Sequence, residues 1–166
     1  MKKNNFTLVS PTFVANSILK KAGEKNMKIN PVKLYSLIYL VYSDYLYHTQ
    51  TKLFNENFSS SYKGPILPSV YFKFNCYGDE EIKTFASDAK GNIYTVHSSM
   101  LDSIINLNLD LYGYSYPEEL IEVTKQRSNI RQKFYNDVEI SEDAKKRYFE
   151  NQKVYALHLK QIENKK

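Results

Sequence analysis

A chain of 166 residues, 42% hydrophobic, suits one ordinary domain with a real core and excludes wholesale disorder despite a mean hydropathy of −0.53. A net charge of +5, from 23 basic and 18 acidic side chains, is mild, and its Lys and Arg pairs are scattered instead of gathered on one face. The single cysteine, Cys76, excludes an internal disulfide, so nothing demands an oxidising compartment.

Aromatic residues stand out, with 15 Tyr and 9 Phe but no Trp. A compositional bias toward Lys, Asn, Ile and Tyr accounts for part of this. Tyrosine also suits contacts that are apolar on one side and wet on the other. The opening MKKNNFTLVSPTF has positive charge but no long apolar run after it. The longest apolar stretch, Leu34 to Leu46, is interrupted by Ser36, Ser43 and Asp44 and falls short of the ~20 residues that span a bilayer. A cytoplasmic protein without a membrane partner is expected.

Ser10-Pro11-Thr12 predicts the start of a first helix. A serine can cap exposed N–H groups there, and proline fits the first helical position. Val14, Ile18, Leu19 and Ala22 form its stripe, and Gly23 its stop. Asn30-Pro31 repeats the device before VKLYSLIYLVYSDYLYH, which is apolar around most of its circumference and therefore predicts the central helix of a bundle.

The segment FNENFSSSYKGPILPSVYFKF follows, with a Lys63-Gly64-Pro65 turn motif flanked by Tyr62 and Tyr71. Proline fixes its own φ and drives Gly64 from the right-handed helical region, which predicts a stiff elbow between two helices. Pro68 opens the next helix, closing near Tyr77-Gly78-Asp79. IKTFASDAKGNIYTV carries two short runs about Lys90-Gly91-Asn92 and predicts a small β-hairpin. Helical code returns in SSMLDSIINLNLDLYG, ending at Gly113, and in SYPEELIEVTKQ, where Ser115 and Glu118 have capping-box spacing. A last helix is expected after Ser141. The fold class expected is mainly α, a compact single-domain bundle over 1–166 with about six helices and one small β-hairpin.

Chemistry-bearing motifs are sparse. His48, His97 and His158 lie far apart, and H-E-x-x-H, C-x-x-C and EF-hand patterns are absent. Cys76 sits beside Asp79, Glu80 and Glu81 instead of the positive environment a reactive thiol needs. The acidic groups, including Glu118-Glu119, fall where helices or turns begin, and capping explains them. Gly78, Gly91 and Gly113 are isolated and build no phosphate-cradling loop. No catalytic residue, metal ligand or cofactor is expected. TKQRSNIRQKFYN interleaves Lys125, Arg127, Arg131 and Lys133 with Phe134 and Tyr135, the pattern of a nucleic-acid contact. An exposed helix end with Lys and Arg stems over apolar surface explains it more simply.

In this order the motifs resemble the Panacea domain, the antitoxin domain of the SocA-like family. FVANSILKKA is similar to that family's opening helix, and INPVKLYSLIYLVYSDYL to its Leu- and Tyr-rich helix. LFNENFSSSYKGPILPSVYFKF resembles its stretch of a Phe, a small residue, an aromatic and Gly-Pro-Val, YGYSYPEELIEVTKQ a later segment, and ISEDAKKRYFEN its closing helix. The likeness runs roughly from Thr12 to Asn151. Ser60 or Ser61 stands where the family often has Ala, Ile66 replaces Val, Lys125 a frequent His, and Ile130 lies near a common Trp. The resemblance implies a non-enzymatic protein that neutralises a neighbouring toxin by direct binding, either by covering its working surface or by handing it to a protease. Members also occur in phages, which leaves open an inhibitor or adaptor acting on a host protein. A nucleic-acid-binding regulator and a homo-oligomer joined through surplus tyrosines remain alternatives. Candidate partner contacts are Tyr42, Tyr45, Tyr62, Tyr71, Lys125 and Arg127, with Lys63, Gly64 and Pro65 as scaffold.

Overall fold

The computed structural model describes residues 8–135, with side chains through 127. It is mainly helical: α1 (Pro11–Glu24), α2 (Pro31–Thr49), β1 (Ser59–Ser61), β2 (Gly64–Ile66), α3 (Pro68–Phe74), α4 (Ser99–Tyr112) and α5 (Pro117–Tyr135), with a 3-10 turn at Asn75–Tyr77. The helix expected after Ser141 lies outside the described residues. By its contacts the chain divides into two units, Met1–Thr124 and Lys125–Lys166. The packing described below is that of the first.

The apolar circumference of α2 has the expected consequence. Every residue from Pro31 to Leu46 is buried, and α1, α3, α4 and β2 all pack on it. Asn30 caps this helix, its side chain accepting from the Lys33 N–H at 2.9 Å. Leu40 and Tyr39 of α2 pack with Leu120 of α5, flanked by Phe58, Tyr112 and Val123. Leu101, Ile104, Ile105 and Leu109 bring α4 to the same core, whereas Met100 of the expected stripe is exposed.

Buried polar residues tie the helices together. Asn108 of α4 donates to the Asp44 carboxylate of α2 at 2.8 Å and to the Ile104 carbonyl at 3.0 Å. Lys33 lies under the α4–α5 turn, its ammonium donating to the carbonyls of Gly113 and Lys28. Burial lowers its pKa from the ordinary lysine value. A cation at the carbonyl end of α4 also matches the helix dipole.

Helix ends differ from expectation in three places. The Ser10 side chain makes no cap; its hydroxyl pairs with that of Thr12 at 2.9 Å. Gly23 lies inside α1, which ends one residue later, and Asn26, at φ 56°, makes the left-handed exit. At α5 the carboxylate reaching back is Glu119, accepting from the Tyr116 N–H at 3.0 Å. The box is therefore shifted one residue from Ser115 and Glu118, because Pro117 takes the first helical position.

The β-hairpin is present but not where expected. It spans Ser59–Ile66, pairing Ser59 with Ile66, Ser60 with Pro65 and Ser61 with Gly64. Tyr62 and Lys63 form the tip, so Gly64 and Pro65 begin β2 instead of making an elbow between helices. Gly64 has φ +85°, and a Cβ there would lie 3.4 Å from the Thr124 hydroxyl on α5. The glycine thus answers both a torsion and a close approach. Around Lys90-Gly91-Asn92 no strand forms. Asn16 of α1 donates to the carbonyls of Ala86 and Tyr94, both at 2.9 Å, and accepts from the Ala86 N–H at 2.8 Å. Ser17 accepts from Val96 N–H. Beyond the turn, which the Asp88 N–H closes on the Asn92 carbonyl at 2.9 Å, the arms bond to α1 and form no ladder.

Candidate protein-docking surface

The hairpin tip and α3 each carry a nearly fully exposed aromatic ring. Before the hairpin lies an aromatic cluster. Tyr42 lies 4.7 Å from Phe54 and 5.6 Å from Phe58 between ring centroids, and Tyr39 meets Phe58 edge-on at 5.2 Å. The rings place the chain entering β1 firmly on α2. Glu56 fixes the other side, its carboxylate accepting from the Ser69 N–H at 2.7 Å and the Ser69 hydroxyl at 2.6 Å. That pair satisfies an N–H of the first turn of α3 and holds the helix against the loop before the hairpin. At the tip, the Ser61 hydroxyl donates to the Gly64 carbonyl at 2.7 Å and accepts from Lys63 N–H.

On this frame Tyr62 is 87% exposed and Phe72 86% exposed. The Lys63 ammonium stands 5.5 Å from the Tyr62 ring centroid and 6.0 Å from that of Tyr71. A cation between two rings keeps its charge outward while the lysine stem covers apolar surface. Tyr71 is half-buried, its ring tilted against Tyr35 at 5.9 Å. The Tyr35 hydroxyl is buried with no hydrogen-bond partner among the described residues. Burial first, then the neighbouring Tyr71 phenol and Cys76 thiol, raise its pKa far above the ordinary tyrosine value. Cys76 is exposed on the following turn.

The candidate contacts therefore separate. Tyr62 and Tyr71 share this surface with Lys63. Tyr42, 2% exposed, and Tyr45, 9% exposed, are core residues, a correction to their assignment as partner contacts. Their place on a helix buried all round leaves no outward face. Lys125 is exposed and Arg127 half-buried on α5, in the second unit; Arg131, Lys133, Phe134 and Tyr135 have no described side chains. Phe72 was not singled out from the sequence, although its neighbours Val70 and Phe74 are buried. Val70 and Phe74, four residues apart, share one face of this helix, so Phe72 between them falls on the opposite face, and that is the available signal.

Elsewhere, a cavity of about 200 Å³ opens between the end of α1 and the 81–85 segment, lined by Leu19, Ala22, Met27, Ile82, Phe85 and the Glu81–Lys83 ion pair. It lies below the ~300–1,000 Å³ of ordinary small-molecule sites. Among the described residues no group of three His, Cys, Asp or Glu is placed to hold a metal ion, and no helix is long and apolar enough to cross a membrane. Compared with family models, curated proteins and solved structures, the chain matches none.

Proposed function

We propose that the protein is a non-enzymatic, antitoxin-like binder that acts in the cytoplasm and neutralises a cognate toxin by direct contact, as its resemblance to the Panacea domain implies. The observation that carries this is the pair of nearly fully exposed rings, Tyr62 beside Lys63 at the hairpin tip and Phe72 next to Tyr71 in the sequence of α3. Large aromatic side chains left in water on a fixed frame suit the anchors of a protein interface, where Tyr is enriched and a few residues dominate affinity. Tyr71 and Lys63 complete the patch, and Gly64 and Pro65 hold its shape.

The test is co-expression with a small toxic reading frame encoded beside it. Growth rescue and a stable complex are expected, both lost on Tyr62→Ala with Phe72→Ala while the fold persists by circular dichroism. Neither rescue nor complex with the intact chain would end the antitoxin proposal. Rescue that survives the double substitution would move the docking surface elsewhere.

A further inference from the structure

The cavity beside α1 has a small size, an apolar lining and one charged side. Leu19, Met27, Ile29 and Ile82 make its apolar walls, and the Ile82 N–H ties the two sides together by donating to the Ile29 carbonyl at 2.9 Å. Phe85 also lines it, yet stays 40% exposed. Glu81 and Lys83 line it too, joined at 2.7 Å, and their side chains, 31% and 69% exposed, form its wet side. Gly23 completes the lining from within α1. Glycine is the least favourable residue inside a helix after proline. Gly23 has no positive φ, and a Cβ there would meet nothing within 4 Å beyond its chain neighbours and its own helix. Neither torsion nor close packing therefore calls for glycine, and what the missing side chain leaves is room at the cavity.

We propose that this cavity binds a free aliphatic α-amino acid of about leucine's size, its side chain among the apolar walls and its zwitterionic head on Glu81 and Lys83. Size sets the first limit. A cavity of ~150 Å³ takes a benzene, so one of about 200 Å³ takes about eight heavy atoms, and a nucleotide or sugar phosphate is far too large. Charge sets the second. An exposed ion pair is worth little to the fold, so opening this one costs little. A ligand with a single charge takes one partner and strands the other, and an uncharged one leaves the pair unused. A zwitterion replaces one ion pair by two, its ammonium donating to Glu81 and its carboxylate accepting from Lys83, with the charges still balanced. Phe85 supplies apolar surface that the bound side chain removes from water. Tyr62 and Phe72 do not line this cavity, so the site stands independently of any toxin.

Calorimetric titration of the full chain with leucine tests it, and saturation is expected with a Kd below about 1 mM. Three analogues divide the ligand: glycine keeps the head, isoamyl alcohol keeps the body, and isocaproate lacks only the ammonium. Each should bind at least about tenfold more weakly than leucine. Lys83→Met should weaken leucine by a similar factor with an unchanged thermal melt, because the pair it removes is exposed. Gly23→Leu should weaken leucine at least about tenfold by taking up the room, with a melt unchanged or raised, since leucine favours a helix over glycine. A glycine kept for the fold alone would give the opposite pair of results. No saturation by leucine below about 10 mM overturns the proposal. So does any of the three analogues binding as tightly as leucine, or an affinity that survives both substitutions.

Discussion

Two segments of this chain turn beside a glycine of positive φ: Ser59–Ile66 with Gly64, and 82–98 with Gly91. The first is a hairpin with its own ladder. The second follows α1 with no ladder, its arms bonded to Asn16 and Ser17. They differ in what lies beneath. The chain entering the hairpin rests on the rings of Tyr39, Tyr42, Phe54 and Phe58, a non-directional base that leaves backbone groups free to pair with each other. Under 82–98 is a buried amide with two donors and an acceptor, which claims those backbone groups for itself. An apolar support permits a ladder and a polar support competes with it.

The largest expected effect comes from removing the apolar support. Tyr42→Ala deletes a ring in contact with both Phe54 and Phe58, and a buried aromatic truncation costs about 3–5 kcal/mol. Chemical denaturation should show that loss. Backbone amides of Ser59–Ile66 should exchange faster well before those near Asn16.

Asn16→Ala tests the polar support. It leaves the Ala86 N–H and the carbonyls of Ala86 and Tyr94 without their partner, at about 1–3 kcal/mol in total, since nearby water can replace part of the bonding. Hydrogen exchange should rise across 84–96 and stay unchanged in the hairpin. Equal protection of both segments in this variant would show that the amide does not hold the arms.

The two glycines give a finer contrast. Gly64→Ala combines φ +85° with a Cβ 3.4 Å from the Thr124 hydroxyl, whereas Gly91→Ala has φ +83° and open space around it. Torsion alone costs about 1–2 kcal/mol, so each variant should lose about that much, and a larger loss at Gly64 would measure what its contact with the Thr124 side chain adds. Equal melting shifts would mean that the close approach to α5 carries no weight.

These contrasts explain what was legible in the sequence. The class, the central helix and the openings at Asn30 and Ser98 follow from local signals: all-round apolarity, and a polar residue whose side chain reaches its own helix. Turn residues at Gly64 and Gly91 were equally visible, but the outcome was decided by Tyr42 and Asn16, each distant in sequence from the segment it governs. The docking surface was half legible for the same reason. Tyr62 and Tyr71 flank a turn, while Tyr42 and Tyr45 look the same in composition yet belong to a helix enclosed on every side. The Asp44–Asn108 pair left no sequence signal, because a buried carboxylate and amide on separate helices have no fixed spacing.

The smallest effect is a pH response confined to one of the two segments. Asp88 closes the 88–92 turn, its carboxylate accepting from the Asn92 and Lys90 N–H groups, both at 2.9 Å, and from the Asn92 side chain at 3.2 Å. The Asn92 backbone bond first, then its amide, then Lys90 N–H and the Tyr94 hydroxyl, hold the Asp88 carboxyl below its ordinary 3.8. A depressed folded pKa means the folded chain binds the proton less readily than the unfolded one. The contribution is therefore full above the ordinary value and is lost as pH falls through the lowered one. As pH falls below about 4 the 88–92 amides should lose protection, and Asp88→Asn should make them insensitive to pH in that acid range. The tip at Ser61–Gly64 carries no carboxylate in its turn and should not respond. If acid loosened both turns together, the change would be global and the local role of Asp88 would fail.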